Sequence, residues 1–358
     1  MLSHSVLGMS RTHHKASNRL PRLRVFILGA GVSAACGIPV AKDIFRATML
    51  WSLATSGSDA AEVHKILRYL YPGFDAKLKN YPNIEDFLNL LEMAKTFNSE
   101  EFIRSEPYSE SRIKRVERVV LKAVTEFLWE SMQSKDKLKP LHRFVEKEIS
   151  PGDVVITFNW DVGFEQSLYM HRKDPSFHYF YSRDLDQKQV FLLKPHGSID
   201  WFQKAMLPNQ GDGKDYLSLD NHLAIFRHFD FTENPELTRL LPVIVPPISS
   251  KEFKHRALKR TWRSVFRAVS QATQLQIIGY SLPREDQFAR FVLRRAVRHN
   301  LLNIEKGKKG PLAIRVVNPD ETVWTTFSRL VGSTGTGTQM EFKQSLFEDY
   351  VSGLGESD

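Results

Sequence analysis

Strand-like apolar runs recur along the chain, at 25–28 (VFIL), 153–158 (DVVITF), 190–194 (VFLLK), 242–245 (PVIV), 274–278 (QLQII) and 312–317 (LAIRVV). Helical periodicity separates several of them, notably over 252–271, 284–300 and 321–330. Short apolar strands alternating with amphipathic helices predict a mainly parallel sheet with helices on both faces. The stretch 45–149 breaks the alternation: it holds no convincing strand and shows helical periodicity at 85–97, 112–132 and 138–149. An all-helical insertion after the first strand is expected there. The chain then divides into a basic tail (1–22), an α/β core (23–44 and 150–350) and the insertion (45–149). The polar segment 203–240, with Gly211 and Gly213, reads as a loop with some helix.

Composition narrows the classes without choosing among them. The 358 residues, 42% hydrophobic and 25% charged, suit a water-soluble α/β protein with a sizeable core. No apolar stretch approaches a membrane span, and the basic first residues lack the apolar core of a secretion signal. A single cysteine, Cys36, allows neither an intramolecular disulfide nor a cysteine-based zinc site, so no metal is expected and a reducing cytoplasm fits. The His13-His14 pair in the tail is read as solvated. A net charge of +9 favours anionic ligands. The basic residues are spread along the sequence with no recognised nucleic-acid motif, so direct nucleic-acid binding is not the expectation.

The chemistry gathers just after the strands, where open α/β sheets bind their ligands. The first run leads into Gly29-Ala30-Gly31, Ser33 and Gly37-Ile38-Pro39. A bare turn of this kind lets backbone approach a pyrophosphate. The dehydrogenase spacing G-x-G-x-x-G is broken by Ala34, which disfavours hydride transfer. Later strands end in Thr157-Phe158-Asn159-Trp160-Asp161, Lys194-Pro195-His196-Gly197-Ser198, Gly279-Tyr280-Ser281-Leu282 and Asn318-Pro319-Asp320. Asp161 and Asp320 also suit helix caps, and His196 also suits a buried, hydrogen-bonded core position. The set as a whole predicts a Rossmann-like fold with its site along the carboxyl ends of the strands.

These elements, in this order, resemble the sirtuins, and more closely the zinc-less sirtuin-like proteins of bacterial anti-phage defence. Gly29, Ala30, Gly31, Ser33, Gly37, Ile38 and Pro39 match the sirtuin glycine loop, and Asn159 and Asp161 its Asn-Ile-Asp element with Trp160 at the centre. Lys194 to Ser198 resembles the segment carrying the catalytic histidine, and Ile199-Asp200-Trp201 extends it as in the bacterial branch. Gly279 and Ser281 resemble the later phosphate loop, and Asn318 falls where the family contacts the adenosine ribose. Two departures stand out. The paired C-x-x-C zinc module of the deacylases is absent, and Val40-Ala41-Lys42-Asp43-Ile44-Phe45-Arg46 replaces the Asp-Phe-Arg that follows Gly-Ile-Pro.

The resemblance implies NAD as substrate, bound by Gly29, Ala30, Gly31, Ser33, Ile38, Pro39, Gly279, Ser281 and Asn318. It implies Asn159 holding a water beside the ribose, Asp161 binding the nicotinamide carboxamide and His196 acting as base. Without an acyl-lysine cleft, water is the simplest acceptor, which makes the chain an NAD+ glycohydrolase releasing nicotinamide and ADP-ribose. A zinc-independent deacylase or ADP-ribosyltransferase, and a non-catalytic module sensing NAD or ADP-ribose, stay open. Unrestrained NAD+ hydrolysis is toxic, so a homo-oligomer or a partner protein controlling activity is expected, in the cytoplasm and away from membranes.

Overall fold

The computed structural model describes residues 22–55, 60–99, 109–134, 136–171, 177–182, 188–204, 216–226, 240–246, 255–332 and 338–355. The tail, with His13-His14, and Gly211 and Gly213 lie outside the described residues. The chain starts with β1 (Arg24–Leu28) and the short α1 (Ala30–Ala34). Five helices follow: α2 (Ala41–Thr55), α3 (Ala60–Leu70), α4 (Ile84–Ser99), α5 (Glu110–Ser131) and α6 (Lys139–Glu148). Next come β2 (Val154–Thr157), α7 (Gly163–His171), β3 (Phe177–His178), β4 (Val190–Leu193), β5 (Gly197–Gln203), β6 (Tyr216–Ser218), β7 (Leu223–Phe226) and β8 (Pro242–Ile244). The last part runs α8 (Arg256–Gln271), β9 (Gln274–Ile278), α9 (Gln287–Glu305), β10 (Leu312–Val317), α10 (Glu321–Val331), β11 (Thr338–Lys343) and α11 (Phe347–Ser352).

Seven strands form the main sheet in the order β11-β10-β9-β1-β2-β4-β3, and every pairing is parallel. With β3 set aside as an added edge, this is the doubly wound dinucleotide-binding order, reversing direction between β1 and β9. Burial on both faces explains why its central strands read as largely apolar runs. Val25 and Ile27 of β1 face a core built with Trp262 and Val265 of α8, Leu293 of α9 and Phe327 of α10. Phe26 and Leu28 face the opposite core, with Phe144 of α6, Leu168 of α7 and Tyr350 of α11. The expected Rossmann-like sheet with helices on both faces, carrying a helical insertion after its first strand, is what the chain forms.

Within the insertion, α2–α5 close around their own core. Ile113, Val116, Val120, Val124 and Leu128 make the buried stripe of α5 and meet Phe45 of α2, Val63 of α3 and Phe87 of α4. The last helix of that stretch, α6, packs on the sheet instead, with Leu141, Phe144 and Val145 inward.

The run 242–245, expected in the parallel sheet, lies elsewhere. Its residues form β8 in a second, antiparallel sheet of order β6-β7-β5-β8. A short apolar run fits either kind of pairing, and β5 supplies the partner. Within 203–240, expected as a loop with some helix, the described residues include the strands β6 and β7, and 205–215 and 227–239 lie outside the described residues. This small sheet is a layer between two cores: Ile199 and Phe202 join that of the insertion, while Trp201 and Ile225 join that of α6 and α7.

Candidate functional site

The reversal point between β1 and β9 is where two glycine loops interlock. Gly31 N–H donates to Gly279 O at 2.9 Å, and Gly29 N–H to Ile278 O at 3.1 Å. A Cβ on Gly29 would lie 2.5 Å from Tyr280 Cα, and one on Gly31 2.8 Å from Gly279 Cα. Gly279 itself has φ +61, in the left-handed region. The side chains are absent so that the two loops can touch. The expectation that Gly31 is bare for a pyrophosphate needs correction, since both its open side and its amide are taken by Gly279.

Ser33, Asn159 and Asp161 form one hydrogen-bonded unit at the ends of β1 and β2. Ser33 Oγ donates to Asp161 Oδ2 at 2.6 Å and accepts from Asn159 Nδ2 at 2.8 Å. Asn159 Nδ2 also donates to Gly29 O at 3.0 Å. Because that carbonyl can only accept, the amide orientation is fixed, both N–H groups are spent, and Oδ1 is left as the acceptor Asn159 can offer. Asp161 Oδ1 accepts from Gly163 N–H at 3.0 Å, so the carboxylate also caps the start of α7. Ser33, expected at a phosphate, gives its one proton to Asp161.

The histidine segment is strapped to this unit through backbone. Lys194 Nζ donates to Asp161 O at 2.6 Å, Ser198 Oγ to Trp160 O at 3.2 Å, and Ile199 N–H to Trp160 O at 3.0 Å. Gly197 has φ +74, and a Cβ there would sit 1.9 Å from Val243 O. The glycine after the histidine is therefore demanded by β8, whose following residue Val245 donates its N–H to His196 O at 2.8 Å.

His196 is buried between aromatic walls, edge-on to Phe158 with ring centroids 5.0 Å apart and tilted against Trp262. Phe158 in turn stacks flat on Tyr280 at 4.3 Å. His196 Nε2 lies 2.9 Å from Asp286 Oδ2, a close electrostatic contact whose angles fall short of an aligned hydrogen bond. Asp286 is fully buried and caps α9, accepting from Ala289 N–H at 3.1 Å. Sequence reasoning passed over Asp286. Its signal was an acid at the N-cap position of the helix after Gly279-Tyr280-Ser281, close behind a strand end. The loop leading to it holds Leu282 at φ +54, a left-handed non-glycine residue whose carbonyl accepts from Arg290 Nη1 at 2.7 Å.

Behind Asp161 lies a second missed group. Lys194 Nζ donates to Glu165 Oε1 at 2.7 Å, with both side chains buried, and Asp200 shares the same interior. Burial raises both carboxyls above their usual range, while the Lys194 charge pulls each back down. Cys36, equally buried, has its thiol pushed up to about 12 by desolvation and is an inert core residue.

Ala30, Ser33, Ile38, Pro39, Asn159 and Asp161 line one cavity of about 70 Å³, roofed by Ile44 of α2, Glu85 of α4 and Leu128 of α5. Ligand sites usually hold roughly 300–1,000 Å³, so the insertion leaves only a small, shallow space here. His196 does not line the cavity, but Phe158 does. Two expected site residues stand further along the strand ends: Ser281 is exposed after β9, and Asn318, after β10, uses Oδ1 to accept from Asp320 N–H at 3.0 Å. A larger crevice of about 810 Å³ opens at the other end of the sheet, beside Thr273, Lys308 and Leu312, away from every strand end that carries chemistry. Among the described residues, no group of three or more His, Cys, Asp or Glu side chains could hold a metal ion, and no helix is long and apolar enough to cross a membrane.

Strand order and site position together define a doubly wound α/β protein of the dinucleotide-binding arrangement. No protein-family model matches the sequence, and comparison with curated proteins gives no match. Among solved structures the chain is similar to Sir2 bound to acetylated peptide, at 12% identity over 94% of this chain and 92% of that one, with a TM-score of 0.39. It is similar to Sir2 with p53 peptide and NAD+ at 12% identity, the same coverages and a TM-score of 0.38. Likenesses this distant add no argument of their own, and the fold stands on the strand order.

Proposed function

We propose that the chain is a sirtuin-like NAD+ glycohydrolase that cleaves NAD+ to nicotinamide and ADP-ribose. The observation that carries the reading is the Ser33–Asn159–Asp161 unit, tied through Lys194 and Ser198 to the segment bearing His196. The bond broken runs from C1′ of the ribose to the nicotinamide nitrogen. Nicotinamide leaves neutral with the bonding pair, so no acid has to protonate it, and positive charge grows on the sugar. Water supplies the new C1′–O bond. Asn159 Oδ1 is the acceptor that would orient this water, and the anchored Asp161 is the group for the carboxamide. His196 would take the proton, and the Asp286 carboxylate would stabilise the resulting imidazolium.

The small volume left at the strand ends supports a restrained enzyme. Opening needs α2, α4 and α5 to move off the strand ends, and we assign that step to a homo-oligomer or a controlling partner protein. The role that fits is a cytoplasmic NAD+-depleting effector, as in bacterial anti-phage defence.

The test is to incubate pure protein with NAD+ and resolve the products by chromatography. Equal amounts of nicotinamide and ADP-ribose are expected, lost in His196→Ala. Intact NAD+ under all oligomeric conditions overturns the reading, and product formation only with an acylated peptide present would make the chain a transferase.

A further inference from the structure

The sequence scatters its basic residues, but folding gathers many of them on one outer surface. α8 has five exposed positions, Arg256, Lys259, Arg260, Arg263 and Arg267, and every one is basic. The helix contains no acidic residue at all. Beside it, α9 exposes Arg294, Arg295, Arg298 and His299. Its one acid, Glu305, is paired with Arg298 at 3.3 Å. Both helices cover the same face of the main sheet and pack side by side. Each runs back from the carboxyl ends of the strands, so the two lie in the same direction.

We propose that this helix pair is a docking surface for the phosphate backbone of double-stranded nucleic acid. Charge complementarity is the first argument. Arg256, Arg260, Arg263 and Arg267 fall at i, i+4, i+7 and i+11, a single stripe with axial steps of about 6, 4.5 and 6 Å. Arg294 and Arg298 form a second stripe on the neighbouring helix, and packed helices lie about 8–10 Å apart. Two cationic rows side by side suit the two phosphate rows that flank a duplex groove, whereas a single strand offers one.

Residue choice points the same way. Arginine outnumbers lysine, and its planar fork matches two phosphate oxygens at once. A protein partner would ask for an apolar centre to the patch. Phe291 is the one large exposed apolar side chain of the two helices, and the Arg295 guanidinium lies over its ring at 5.9 Å. Among the described residues, Arg256, Lys259, Arg263, Arg267 and Arg294 enter no ion pair. Nothing in this surface draws on the Ser33–Asn159–Asp161 site, so the inference is independent of the NAD+ reading.

Fluorescence anisotropy of a labelled DNA duplex of roughly 20 base pairs, titrated with the full chain at about 50 to 200 mM salt, tests it. Binding is expected to weaken as salt rises. The triple variant Arg263→Gln, Arg267→Gln, Arg294→Gln should flatten the log–log slope by about 2 to 3, close to one for each phosphate no longer neutralised. Melting curves check that this exposed triple change leaves the fold intact, and the corresponding Arg→Lys triple should keep the slope. No binding at the lowest salt overturns the proposal, as does an unchanged slope in the Gln variant. Displacement of the duplex by poly-glutamate at equal charge would assign the surface to an acidic protein. Tighter binding of the single strand would exclude the duplex.

Discussion

His196 Nε2 and Asp286 Oδ2 sit 2.9 Å apart inside the protein, joining the turn between β4 and β5 to the N-cap of α9. The contact directs Nε2 toward a carboxylate, and the proposed reaction would place that carboxylate against the imidazolium as His196 takes the proton. Asp286 also caps α9, so the two roles must be separated by the choice of variant. Asp286→Asn keeps an oxygen for the Ala289 N–H but removes the charge. The expected outcome is a melting temperature near that of the parent and NAD+ turnover lower by on the order of a hundredfold. Turnover rates across a pH series make the check, and unchanged rates would reduce Asp286 to a cap.

Ser33→Ala tests which partner the serine serves. It removes the donor to Asp161 and the acceptor for Asn159 in one step, at a cost of about 1–3 kcal/mol for the buried groups left unpaired. If Ser33 positions those two side chains, NAD+ turnover falls while ADP-ribose affinity barely changes. A serine on the phosphate predicts the reverse. Calorimetric titration of ADP-ribose beside steady-state turnover distinguishes them.

The interlocked glycines carry a stability prediction. Gly279→Ala places a Cβ 2.8 Å from Val32 N and 2.9 Å from Gly31 Cα, at a left-handed φ as well. Gly307 is the control, since it has a similar φ of +66 with nothing within 4 Å. Gly307→Ala should cost about 1–2 kcal/mol from backbone conformation alone. Gly279→Ala should cost clearly more, because backbone atoms of the other loop must move. Denaturant midpoints of the two variants make the comparison. Equal losses would mean that the loops part easily.

The main sheet was legible because strands covered on both faces must be largely apolar, as β4 and the runs 25–28 and 154–156 are, and β9 and β10 stay recognisable despite Gln274, Gln276 and Arg315. The strands that escaped were those with other needs. β11 is TQMEFK with alternating exposure at a sheet edge, and β6 is three residues long; β8 was legible as a strand, but not its antiparallel pairing with β5. At the site, residue types at strand ends singled out Asn159, Asp161 and His196. Their partners were hidden for a physical reason. Lys194 is a charged residue carried wholly inside, and its acceptors Glu165 and Asp161 O lie 29 and 33 residues away in sequence. Glycine spacing was misleading in a specific way, since the close approach it signals at Gly29 and Gly31 is to protein backbone.

That buried lysine sets the last prediction, on pH. Lys194 brings one positive charge to an interior that also holds the Glu165 and Asp200 carboxyls, and burial raises both above their ordinary values. Glu165 Oε2 and Asp200 Oδ1 make no hydrogen bond there, so full ionisation of both leaves uncompensated charge. A carboxyl whose folded value is raised holds its proton after the unfolded chain has released it. Its contribution to stability is complete below the ordinary carboxylate range and is lost as pH rises through the raised folded value. The protein should therefore lose stability between about pH 5 and 8, by up to about 1.4 kcal/mol per pH unit for each proton held. Asp200→Asn leaves Lys194 and Glu165 as a balanced pair, so its stability should fall less over the same range and exceed that of the parent at the alkaline end. Lys194→Met removes the only cation of the group and the donor to Asp161 O, and should cost about 3–5 kcal/mol. Urea denaturation at stepped pH reads both. Parallel pH profiles for the parent and Asp200→Asn would show that the two carboxyls do not share the Lys194 charge.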